Sequence, residues 1–152
     1  VDPVFIFPNP DTLAKAVAFR FCKEAQQAAV KNRLYSVALS GGATADKIYR
    51  QFGSSEFRDK IPWELVHLFW TDERCVSPES VESNFRTAQH AFLNSVDIPD
   101  KNIHRMKGEE DPFREADRYA LEIQDHQVLR ENTSSYFDWV LMGLGLDGHT
   151  AS

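Results

Sequence analysis

Leu34-Tyr-Ser-Val-Ala-Leu39, followed at once by Ser40-Gly41-Gly42-Ala43-Thr44, is the stretch that decides the fold. A short apolar run reads as a buried strand, and small residues around two adjacent glycines read as a tight turn. Ile48, Tyr49 and Phe52 then recur at helical spacing, so strand, turn and helix succeed one another without a linker. The pattern repeats on both sides. Upstream, residues 4–7 read as a short strand stopped by Pro8, and Asn9 to Asp11 supply capping side chains. Leu13, Val17, Phe21 and Ala25 follow at four-residue steps and predict a long amphipathic helix. Downstream, Pro62-Trp63 opens a second unit, with a strand over 66–70 ending in Thr71-Asp72-Glu73-Arg74 and a helix carrying Phe85, Ala88 and Phe92. Residues 102–106 read as a short strand. Asp111-Pro112 is an N-cap and first helical residue for a helix with Phe113, Ala116, Tyr119 and Ile123 on one side. Residues 132–136 read as a surface loop, and 137–142 as a third strong strand running into Gly143-Leu-Gly-Leu-Asp-Gly-His149.

Strands alternating with helices imply an α/β fold, with a mostly parallel sheet covered on both faces. Ligands of such folds bind beyond the carboxyl ends of the strands. Three apolar strands end here in chemistry-bearing clusters: Ser40-Gly41-Gly42, Asp72-Glu73-Arg74 and Asp147-Gly148-His149. Five of the seven glycines lie in two short stretches, Gly41-Gly42 and then Gly143, Gly145 and Gly148, which points to functional turns rather than general flexibility.

Composition narrows the function classes. The chain has 152 residues, 42% hydrophobic, with a formal net charge of −6. That is enough for one domain with its own core. The acidic balance argues against nucleic-acid binding, which needs a basic patch. No apolar run approaches the roughly 20 residues of a membrane helix. No signal peptide is visible, and Cys22 and Cys75 are too few for a disulfide framework, so both are expected as reduced thiols in the cytoplasm. Cys75, beside Arg74, is expected as a buried, inert thiol.

Each cluster has a functional and a plain reading. The Ser40–Thr44 turn offers backbone N–H groups at a helix N-terminus, an anion site suited to a sugar phosphate; a tight turn capped by Ser40 or Thr44 accounts for it as well. No Walker A lysine follows. Asp72-Glu73-Arg74 offers a base and a guanidinium fork, or a surface ion pair. Gly143-x-Gly145-x-x-Gly148 matches the dinucleotide fingerprint, but that match leaves Asp147 and His149 unexplained. A histidine with a nearby carboxylate fixing its tautomer is a proton carrier. Ser40 lacks the nucleophile elbow of a serine hydrolase. His67, Asp72, Asp147 and His149 have no tight metal-ligand spacing, so no metal is expected.

The runs Val37-Ala-Leu-Ser-Gly-Gly-Ala-Thr44, Phe69-Trp-Thr-Asp-Glu-Arg74, Ser83-Asn-Phe-Arg86 and Gly143-Leu-Gly-Leu-Asp-Gly-His-Thr-Ala-Ser152 together resemble the 6-phosphogluconolactonase family. The wider superfamily includes glucosamine-6-phosphate deaminases, which usually have Asp-Glu-Tyr where this chain has Asp72-Glu73-Arg74, and Ile-Ala-Phe where it has Thr150-Ala151-Ser152. The resemblance implies a Rossmann-like three-layer α/β/α sandwich. It also implies hydrolysis of 6-phospho-D-glucono-1,5-lactone to 6-phosphogluconate, without metal or organic cofactor, by a cytoplasmic monomer or homodimer. On matching positions it implies His149 as general base, Asp147 orienting it, and Asp72 positioning substrate or water. Ser40, Gly41, Gly42, Thr44, Arg74, Asn84 and Arg86 would bind substrate and phosphate. Family members usually continue with Leu-Phe-Pro, so residues 1–152 are expected to be a single sugar-phosphate hydrolase domain that is the N-terminal part of a longer one. A deaminase/isomerase, a non-catalytic sugar-phosphate sensor and a dinucleotide-binding module are the competing readings.

Overall fold

The computed structural model describes residues 3–130 and 135–151. Its centre is strand β1 (Tyr35–Leu39), buried at every position. Strand β2 (Val66–Trp70) is equally buried and pairs with it in parallel, Tyr35 opposite Val66 through Leu39 opposite Trp70. Strand β3 (Trp139–Val140) runs parallel along the other side of β1, giving the order β2-β1-β3. Burial on both faces explains why β1 and β2 read as mostly apolar runs, broken only by Ser36 and His67, rather than as alternating ones.

Successive side chains of a strand point to opposite faces. Tyr35, Val37 and Leu39, with Val66, Leu68 and Trp70, meet helices α1 (Pro10–Val30) and α2 (Ala43–Phe52) in the main core. Ala14, Ala18, Ala25 and Ala28 let α1 lie close, and Phe21 fills the centre with its ring 4.5 Å from Phe52. Helix α3 (Asn84–Ala91) joins the same layer through Ala88. The opposite face of the sheet presents Ala38 and Phe69 to Tyr119 of helix α4 (Pro112–Leu129). The result is an α/β/α layering of helices on both faces of a parallel sheet. Side-chain caps set three of the helix starts: Asn9 accepts from the Thr12 N–H at 2.8 Å, Ser83 from Arg86 at 3.1 Å and Asp111 from Arg114 at 3.0 Å.

Several sequence expectations change. Residues 4–7 form no strand; Val4 and Ile6 are exposed, and an extended segment without a neighbour has no ladder to join. Residues 102–106 are reduced to a single bridge between Leu68 and Ile103, after a 3₁₀ turn at Asp100–Asn102. The third strand shrinks from 137–142 to two residues, because only β1 flanks it among the described residues. Phe113 and Ala116 are exposed, while Tyr119 is buried as expected with Ile123 packed against its cluster; the buried residues of α4 are Glu115, Tyr119 and His126. Two of those three are polar, which an apolar-stripe reading passes over. Of the expected loop at 132–136, residues 132–134 lie outside the described residues, and Ser135 and Tyr136 are exposed. Among the described residues, no helix is long and apolar enough to cross a membrane.

Candidate active site

The carboxyl ends of all three strands open on one cleft of about 660 Å³. The first wall is the turn after β1. Tyr49, buried on α2, donates its hydroxyl proton to the Ser40 carbonyl at 2.5 Å and accepts from the Ser40 N–H at 3.0 Å. Both backbone groups of Ser40 are thereby satisfied away from water, and burial pushes the Tyr49 phenol well above its ordinary pKa. Gly42 caps α2 with φ +99°, a conformation that favours glycine, and no side chain caps this helix start. Capping by Ser40 or Thr44 is therefore not what the turn is for: the Ser40 hydroxyl turns to the Gly41 carbonyl at 3.4 Å. The uncapped N-terminus of α2, with its partial positive charge, faces the cleft.

The second wall follows β2. The Thr71 N–H reaches the Leu39 carbonyl at 2.7 Å, carrying the sheet register one residue further. Asp72 and Arg74 then line the cleft. Their neighbour Glu73 faces away and takes four donors: Ser83 Oγ and the N–H groups of Arg74, Asn84 and Phe85, at 2.7–3.0 Å. A carboxylate so engaged anchors the start of α3, where the helix dipole favours a negative charge. The Asp-Glu pair is thus divided between cleft and scaffold. Asn84 is buried and donates to the Asp72 carbonyl at 3.1 Å. Its side chain lies so close to Gly41 that a Cβ there would meet Oδ1 at 2.1 Å. Glycine at 41 is required by that approach.

The third wall is the loop after β3. His149 Nδ1 and Asp147 Oδ1 are 2.5 Å apart, and the bond holds the Asp147 carboxyl below the usual carboxylate range. Gly145 sits under this pair: a Cβ there would lie 2.3 Å from the His149 ring and 2.7 Å from Asp147 Oδ1. Gly148 has φ +90°. The glycine spacing that mimics a dinucleotide fingerprint thus serves the Asp147–His149 pair. With Nδ1–H donated to Asp147, the Nε2 lone pair of His149 is left for the cleft.

Ser40, Gly41, Gly42, Thr44, Asp72, Arg74 and His149 all line the one cleft. Asn84 and Arg86 line an adjoining hollow of about 510 Å³ that shares Gly42 and Arg74 with it. Arg50 and His90, not singled out in the sequence, border that hollow. Arg50 is paired to Asp46 at 2.8 Å, so Arg74 and Arg86 are the guanidinium groups nearest to hand for an anion. Tyr49 and Thr71 are supporting residues that motif reading missed, and Glu73, part of the Asp72-Glu73-Arg74 cluster, serves the scaffold rather than the cleft. His67 does not join Asp72, Asp147 and His149; it belongs to the opposite end of β2. Cys75 is exposed rather than buried, while Cys22 is buried, and both are free thiols.

Residues 8–152 match the family described as glucosamine-6-phosphate isomerases/6-phosphogluconolactonase. A 6-phosphogluconolactonase of Aggregatibacter actinomycetemcomitans is 33% identical over 146 residues, 96% of this chain and 59% of that protein. The GDH/6PGL endoplasmic bifunctional protein of Oryctolagus cuniculus is 39% identical over 151 residues, 94% of this chain and 18% of that protein. The crystal structure of a protein named devB superposes with a TM-score of 0.85 at 35% identity, covering 97% of this chain and 60% of its own. The chain spans about 59% of the length of the bacterial lactonase it matches.

Proposed function

The chain belongs to the glucosamine-6-phosphate isomerase/6-phosphogluconolactonase family, and on that premise we propose that it carries the site of a 6-phosphogluconolactonase. The observation that carries this reading is the Asp147–His149 pair facing, across one cleft, an uncapped helix N-terminus and the Arg74 guanidinium. A proton carrier at one end and anion donors at the other fit a phosphorylated lactone.

The chemistry follows from the geometry. The phosphate sits at the start of α2, held by backbone N–H groups, Thr44 and the guanidinium groups of Arg74 and Arg86. These donors offset the acidic background of the chain. His149 Nε2 takes a proton from water as the oxygen attacks the lactone carbonyl, and Asp147 stabilises the imidazolium that forms. Collapse of the tetrahedral intermediate breaks the bond to the ring oxygen, to which His149 returns the proton. The product is an open-chain acid that ionises at neutral pH. Asp72, its backbone fixed by Asn84, orients the hydroxyls or the attacking water. A deaminase would use Asp72 as a carbon-acid base, and Arg74 in the place of tyrosine disfavours it. A sugar-phosphate sensor would have no use for the Asp147–His149 bond.

The domain reading extends the same way: residues 1–152 are the N-terminal part of one sugar-phosphate hydrolase domain, acting as monomer or homodimer. Two free thiols fit the cytoplasm. The intact protein, given 6-phosphogluconolactone and glucosamine 6-phosphate in parallel, is expected to release acid from the first well above spontaneous hydrolysis and no ammonia from the second. Ammonia release without lactone turnover would reverse the assignment.

A further inference from the structure

Three of the five histidines of the chain meet at the opposite end of the sheet from the cleft. His67 is the second residue of β2 and pairs in register with Ser36, the second residue of β1. His104 follows the bridge to β2, and His126 lies near the end of α4. One ring nitrogen from each lies within 4.8 Å of the others. The catalytic residues begin after Trp70, so about five residues of strand, roughly 16 Å, separate the two places.

We propose that His67, His104 and His126 form a Zn²⁺ site that ties β2, the segment after it and α4 together. Tetrahedral zinc at about 2.0–2.1 Å from each nitrogen needs donors about 3.3–3.4 Å apart. His67 Nδ1 and His104 Nε2 are 2.9 Å apart, and the His126 donor lies within 4.8 Å of both, so ring movements of at most about 1.5 Å bring all three to that spacing. The outer ligands are in place as well. His104 Nδ1 lies 2.7 Å from Glu122 Oε1, and Arg118 pairs with the other oxygen of Glu122. A histidine donating its far N–H to a carboxylate presents its other nitrogen as a lone pair, the usual arrangement behind a metal-bound imidazole. His126 Nε2 is held by Ser36 Oγ at 2.6 Å.

Without metal, the single proton of neutral His67 lies on Nδ1, between it and His104 Nε2. Zinc takes that place, and the proton moves to His67 Nε2, so His67 binds as a neutral ligand. His67 and His126 are buried, and burial favours a neutral imidazole over a charged one. The rings stack on an apolar floor, with His104 4.2 Å and His126 5.0 Å from Phe69. All three histidines and Glu122 border a solvent-open hollow of about 870 Å³. It provides an entry path and room for a water as fourth ligand. Three imidazoles with no thiolate fit zinc better than a soft or an oxygen-preferring ion.

The intact protein, stripped of metal and dialysed against ZnSO₄, is expected to retain one equivalent of zinc by elemental analysis and to melt at a higher temperature than the stripped form. Co²⁺ in place of zinc should give the visible absorption of a tetrahedral ion. His104→Gln should abolish retention, and Glu122→Gln should weaken it about 10- to 100-fold. His149→Ala should leave it intact, which separates this site from the catalytic cleft. The wild-type measurement does not depend on any variant folding. No stoichiometric zinc in the wild type, or full retention by a His67→Gln/His104→Gln variant with a native circular dichroism spectrum, overturns the proposal.

Discussion

Replacing Gly41 by alanine tests how the cleft is assembled. At an unstrained position such a change stabilises by about 0.4–1 kcal/mol, through the lower entropy of the unfolded chain. Here the added Cβ meets Asn84 Oδ1 at 2.1 Å and Cγ at 2.6 Å. Ordinary contact requires about 3.4 Å, so one partner must move more than 1 Å. Asn84 has little freedom to give way. It is buried, its amide holds the Asp72 carbonyl, and its N–H is bound to Glu73. Overpacking costs about 1–3 kcal/mol, and weakening the bond from Asn84 to the Asp72 carbonyl about 0.5–1.5 kcal/mol more. The steric terms outweigh the entropic gain, and Gly41→Ala should destabilise by about 1–4 kcal/mol. Urea unfolding of the intact protein reads this directly. Asn84→Ala removes both the clash and the bond, so the double variant should be close to Asn84→Ala alone, with a coupling of about 1–3 kcal/mol. A neutral or stabilising Gly41→Ala, or strictly additive effects, would refute the reasoning.

Tyr49→Phe deletes the hydroxyl that serves both backbone groups of Ser40. It should cost about 2–4 kcal/mol in urea unfolding and raise KM for a phosphorylated substrate by loosening the turn. Glu115 accepts from Arg118 at 2.6 Å and from the Lys107 N–H at 2.8 Å, and these bonds lower its pKa below 4.5. A carboxylate more acidic in the folded state stabilises above its unfolded pKa and loses that stabilisation as pH falls through the folded value. Glu115→Gln should therefore be less stable than wild type by a constant amount above about pH 5.5, and the gap should close in more acidic solution. Cys75 is exposed and Cys22 is buried with its thiol pKa raised by burial. One thiol should react with a disulfide reagent in the native protein and the second only in denaturant; two fast equivalents would contradict the packing of α1.

Local sequence carried the fold where elements are governed by their own residues. Strand β2 is found at the expected residues, and two helices begin at side-chain caps read from the chain, Asn9 and Asp111. Strand lengths near β3 depend on neighbours, which no local pattern encodes. The cleft was legible because strand, turn and chemistry are contiguous at Ser40, Asp72 and His149. Its supports were not. Glu73 acts on α3 across a ten-residue loop, and Tyr49 reaches back nine residues to Ser40. The histidine cluster draws on β2, the segment after it and α4, so its members never appear together in the sequence.

The proposed reaction depends on Asp147 as an orienting carboxylate and His149 as a general base. Acid release from fresh 6-phosphogluconolactone by the intact protein, corrected for spontaneous hydrolysis, tests it with His149→Ala and Asp147→Asn alongside. His149→Ala should lower kcat by about 10²- to 10⁴-fold, and Asp147→Asn should reduce kcat with KM nearly unchanged. Both variants should keep the wild-type melting temperature, because both side chains are exposed. Wild-type turnover by a folded His149→Ala variant would contradict the account.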